Sequence, residues 1–154
     1  MLKTTLLALQ ALQVLFLWIH DWIPMGSLND VRAVRAQDSF QRLVLVTLIQ
    51  SIPFTVILVL SVLLFGSPYP PWLVTTIWIA YVVLLAGQLR AWWVPYLLRA
   101  EPERAERYHA MFGNTHSFLP VRNGLVPNTA HIFLHACTAA TLVVLYLMRQ
   151  IPAP

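Results

Sequence analysis

Cysteine and lysine each occur once in these 154 residues, and no aspartate or glutamate falls inside any of the four long apolar stretches. The lone Cys137 excludes an internal disulfide and a cysteine-rich metal site, and beside Ala136, Ala139 and Ala140 it reads as a small packing residue. The missing carboxylates argue against a proton-coupled transporter built on an acidic relay, although histidine can take that role. There is no glycine-rich phosphate loop, nucleophile elbow, internal repeat or low-complexity linker. Charged residues make up only 10% of the chain against 58% hydrophobic, too few to cover a water-facing surface.

What is present is apolar length. Leu43 to Phe65 carries no charge and, at about 1.5 Å per residue, is long enough to cross a hydrocarbon core of roughly 30 Å. Trp72 to Leu89 and Ala130 to Met148 are further runs without Asp, Glu, Lys or Arg. Thr4 to Ile19 is shorter, with Trp22 to Met25 extending its apolar reach past His20 and Asp21. Lys3 before an apolar run also suits a secretory signal, but no small-residue cleavage site follows, so this stretch reads as a retained first helix. The pattern predicts an all-α polytopic membrane protein: one domain over residues 1–154, a four-helix bundle with spans near 4–23, 43–65, 72–95 and 129–149.

Nine of the ten basic residues are arginines, and eight of those flank the spans in the segments 20–42 and 90–129. Only Lys3 and Arg149 fall on the other side, so the positive-inside bias predicts cytoplasmic long segments and both termini outside. Orientation thus accounts for the basic balance without nucleic acid. Trp18, Trp22, Trp92 and Trp93 are expected to form an aromatic belt at the arginine face, with Trp72 at the opposite one. The size and layout are those of many small four-span bacterial membrane proteins, which predicts the inner membrane and implies no activity.

The segments between spans carry their own signals. Asn29 and Asp30 can cap a helix through Val31 and Val34 that runs on into span two. Glu101-Pro102-Glu103 starts a short interfacial helix, with Glu103 and Arg107 as an i,i+4 pair and Gly113 as its stop. The irregular stretch from Asn114 to Asn128 contains Val121 to Val126, a small hairpin turning at Asn123-Gly124 between Pro120 and Pro127, and Asn128 can cap span four.

Four polar residues, one per span, need an explanation: Gln13, Gln50, Gln88 and His135. Counted inward from the arginine side they lie roughly 6 to 10 Å deep, so they can share one layer facing the bundle interior, near an acceptor and kink introduced by Pro53. The layer is either interhelical glue or a polar cavity. His131 and His135 share a helix face, and with His116 and Asp21 they are the candidate ligands of a divalent metal, His20 being a further donor. That spacing lacks the glutamate of a metalloprotease helix. His20 and Asp21, as sequence neighbours, are not expected to face each other. His109 is expected in solvent.

The free N–H groups that open span four, close to Arg122, Asn123 and Asn128, suit an anion, for which an anionic lipid headgroup is nearest, with Arg90 and Arg99 at the same level. The expected ligand site therefore comprises His116, Arg122, Asn128, His131 and His135 over the glutamine layer. The composition points first to a non-catalytic membrane component binding a lipid, a lipophilic small molecule or a membrane partner, in one copy or as a homo-oligomer. The alternatives are a small membrane enzyme, metal-assisted or not, acting on an amphiphile, and a transporter or oligomeric channel.

Overall fold

The computed structural model describes residues 1–150, and these are all-helical apart from connecting turns. Four helices are long and apolar enough to cross a membrane: α1 (Leu2–Ile19), α3 (Phe40–Leu63), α4 (Pro71–Leu97) and α6 (Thr129–Gln150). Two shorter helices lie on the arginine side, α2 (Val31–Gln37) and α5 (Pro102–Phe112). The expected four-helix bundle with a short additional helix and an irregular segment before the last span is what the chain forms. Its first span ends earlier than expected, because the Trp22 and Ile23 amides both turn back onto the Ile19 carbonyl.

The core runs along one line of each long helix, with Leu6, Leu73, Ile77, Tyr81 and Leu145 fully buried. Leu12, Leu45, Val59, Ile79 and Phe133 face outward, the arrangement a hydrocarbon solvent favours over water. Helix α1 packs broadly on α6 and α3, and α6 on α4, whereas α3 and α4 meet only sparsely. Phe54 and Tyr81 join those two edge to face, ring centres 5.3 Å apart. On the arginine side of that pair the two helices leave a cleft.

Helix α2 does not run on into α3. Asp30 caps α2 by accepting from the Ala33 amide at 2.9 Å, and Asn29 instead ties the preceding turn through Ile23 and Met25. Extended backbone at Asp38 then breaks the helix, and Ser39 caps α3 by accepting from the Arg42 amide. The break frees the Asp38 carboxylate for Arg107 on α5, which donates to both oxygens at 2.8 Å, and for Arg42 at 3.1 Å. Arg107 is therefore paired across helices and not with Glu103 as the i,i+4 spacing suggested, because a partly buried carboxylate binds a guanidinium fork better than an exposed one.

Proline sets the end of α4. Pro95 has no N–H to give the Ala91 carbonyl, and Tyr108 of α5 donates to that carbonyl at 3.1 Å. Just before it, Leu89–Trp93 forms a wider π turn closed by the Val94 amide on the Leu89 carbonyl. Trp92 and Trp93 consequently both turn toward α6. Trp92 is buried against Tyr108 and Phe112, so it belongs to the packing of α4, α5 and α6 and not to an aromatic belt.

Candidate functional site

The cleft has a volume of about 1090 Å³. Its inner wall is Leu17, His131, Leu134 and His135, and its sides carry Val46, Ile49 and Pro53 from α3 and Val83, Leu84 and Gly87 from α4. Toward the arginine side the lining becomes charged, with Arg42, Arg90, Arg104 and Arg107 beside Asp21, Asp38, Glu101 and Glu103. Arg42 and Arg107 hold Asp38, and Arg104 lies 3.8 Å from Glu101. Arg90 is exposed and has no acidic partner among the described residues.

Three of the four layer residues, Gln13, Gln88 and His135, are buried, and the two glutamines are linked through threonines. Gln13 donates to Thr141 at 2.9 Å and accepts from Thr138 at 3.1 Å, and Gln88 donates to the same Thr138 hydroxyl at 3.0 Å. His135 accepts from the Trp93 indole at 3.0 Å. Gln50 departs from the layer: it is exposed and lines the cleft, because α3 leans away from α4 at this depth. Gln10 joins the buried polar set unexpectedly, fully buried with neither amide atom partnered among the described residues. Its spacing of three from Gln13 was the signal in the sequence, since residues three apart share a helix face.

His131 is hemmed in by aromatic rings, with Trp92 at 4.5 Å, Phe112 at 5.2 Å, His20 at 5.7 Å and Phe16 at 6.0 Å between centres. Asn128 holds its orientation. The Asn128 amide nitrogen donates to the Leu28 carbonyl at 3.2 Å, so its oxygen is left to accept both the His131 amide at 3.0 Å and the His131 Nδ1–H at 2.6 Å. Asn128 thus caps α6 as expected and fixes a tautomer that the cap signal did not reveal.

His20 approaches Asp21, Nε2 to Oδ2 at 3.3 Å, contrary to the expectation for sequence neighbours. That expectation assumed helical geometry, but α1 ends at Ile19 and the pair sits in the turn beyond it. Burial raises the Asp21 pKa above its ordinary value, His20 opposes the rise, and Asp38 adds to it. Both residues line the cleft.

His116 is not part of this group. It is exposed, its Nδ1 is 2.8 Å from the Thr129 hydroxyl, and its backbone joins Ser27 to Thr129. Arg122 is exposed on the hairpin, where it bridges Leu125 across Asn123 (φ 52°) and Gly124 (φ 75°), the left-handed pair that a tight Asn-Gly turn requires. Neither lines the cleft, because the hairpin is held on the far flank of α4 by Asn123 donating to the Tyr96 carbonyl at 2.9 Å. His109 is exposed.

No family model, curated protein or solved structure matches the chain. Among the described residues no three His, Cys, Asp or Glu side chains converge as a metal site would require, so His116, His131, His135 and Asp21 do not form the anticipated ligand set. His131 and His135 have ring centres 6.3 Å apart and each is bound to a different neighbour.

Proposed function

We propose that the protein binds an amphiphile with an anionic headgroup, taken from the leaflet on its arginine side into the cleft between α3 and α4. The observation that carries this reading is the change in the lining, from charged side chains toward the arginine side, among which Arg90 alone of the arginines has no acidic partner among the described residues, to mainly apolar ones between α3 and α4. Such a gradient matches a molecule with a charged end and a hydrocarbon end, and a free guanidinium at Arg90 offers the anion a partner that no carboxylate already occupies. Replacing Arg90 by Gln is expected to weaken binding of an anionic single-chain amphiphile roughly tenfold, while a neutral one of equal chain length is unaffected. Titration by intrinsic tryptophan fluorescence in detergent micelles reads both. Equal loss for the two ligands would remove the headgroup assignment.

In this reading the arginine face is the cytoplasmic face of a bacterial inner membrane and both termini are outside, as the arginine bias requires. Single cysteines introduced at Arg35 and Arg104, in a Cys137→Ala background, are expected to resist an impermeant thiol reagent applied to intact cells. Strong labelling at both would invert the topology.

A second reading, a small membrane enzyme, is favoured by the His20–Asp21 contact beside His131 on the same wall. Such a pair can hold and pass a proton. This reading requires chemical change in the bound amphiphile, visible by mass spectrometry of the lipid recovered after incubation.

A further inference from the structure

Two hydrogen-bonding groups of opposite character lie on the inner wall of the cleft, and their characters are fixed by neighbours. The Trp93 indole can only donate, so the His135 Nδ1 it meets at 3.0 Å must carry the lone pair, and the hydrogen of the neutral ring lies on Nε2. Asn128 imposes the reverse on His131. With Nδ1–H committed to the Asn128 oxygen at 2.6 Å, Nε2 of His131 is an acceptor. Neither Nε2 has a hydrogen-bond partner within the described residues, and both rings line the cleft. The wall therefore offers one donor and one acceptor, from rings 6.3 Å apart, in a cavity whose lining also carries Gln50 and Gln88.

A plain hydrocarbon chain would leave both groups unsatisfied, which costs binding free energy. Resting on the reading that the cleft takes an anionic amphiphile, we infer that its ligand is a partly acylated glycerophosphate: phosphate at Arg90, a free glycerol hydroxyl donating to His131, and the adjacent ester carbonyl accepting from His135. A fully acylated glycerol has no hydroxyl to give, and a fatty acid has no second polar group beneath its charge. The free hydroxyl is what the acceptor at His131 selects.

Three probes of equal chain length test this on the full-length protein in detergent micelles, read by the fluorescence of Trp92, whose ring lies against His131. They are oleoyl glycerophosphate with one free hydroxyl, a deoxy counterpart in which propanediol replaces glycerol, and an ether counterpart lacking the carbonyl. The deoxy and ether probes are each expected to bind roughly tenfold more weakly than the first, since each leaves one wall group unpaired. In the His131→Phe variant the hydroxyl preference disappears while the carbonyl preference remains; His131→Gln, whose amide oxygen can accept, restores part of the former. If the parent protein binds the first and deoxy probes equally, the inference is overturned while the amphiphile cleft stands. If none of the three probes binds, the cleft reading itself falls.

Discussion

Replacing Gly87 by Phe is expected to abolish amphiphile binding, by roughly a hundredfold or more, with no loss of folded protein. Gly87 lies within α4 on the wall of the cleft, and a Cβ built there meets no atom within 4 Å. A side chain can therefore start from this position without a clash at its first carbon. Glycine inside a helix also costs about 0.8 to 1.0 kcal/mol relative to alanine, so a side chain at this position should leave thermal stability unchanged or raise it slightly. Few substitutions separate binding from folding so cleanly. Unchanged affinity in a well-folded Gly87→Phe protein would mean that the ligand, if there is one, binds elsewhere.

Asn128→Leu should have the opposite profile, a large loss of stability. The side chain is 1% exposed and makes three bonds: it accepts the His131 amide as the cap of α6, orients the His131 ring, and donates to the Leu28 carbonyl before α2. Leucine keeps the volume and deletes all three bonds. Loss of the cap costs about 1 kcal/mol, and the polar groups left without partners add a similar amount or more, so a total of about 2 to 4 kcal/mol is expected. Denaturation of the purified protein in micelles measures it. Asn128→Asp, which keeps the acceptor but not the donor, should recover part of the difference. A change under about 0.5 kcal/mol for Asn128→Leu would show that these bonds are replaced by water or by neighbouring groups.

The two residues illustrate how differently function and stability can be read from this chain. Asn128 was visible as a cap because capping is local: it depends on residue type and on the helix that follows. Gly87 gave no signal. Its importance in the cleft comes from α3 and α4 diverging beyond the Phe54–Tyr81 contact, and no property of residues near position 87 encodes that divergence.

The same division explains which site residues came together. Gln13, Gln88 and His135 were found by the rule that a side-chain amide or imidazole in an apolar span must face a partner, and they do. Gln50 obeyed the same rule on paper but opens on the cleft. His116 and Arg122 were grouped with His131 by nearness in sequence, yet the segment before α6 carries both away from the cleft wall. Asp38 and Arg107, 69 residues apart, were grouped by nothing in the sequence and make the best-defined ion pair in the protein.

Sequence alone determined that four apolar helices are formed, where they begin and end to within a few residues, that the chain turns at Asn123-Gly124, and that the basic residues gather on one side. Those properties follow from hydrocarbon solvation, from intrahelical hydrogen bonding and from turn sterics, all of which act over a few neighbouring residues. The tertiary structure decided that α3 and α4 part to form a cleft, that the tryptophans of the π turn face inward, and which nitrogen of His131 and of His135 is left for a ligand. Each of these depends on which helix stands beside which, a choice made by packing between residues far apart in the chain.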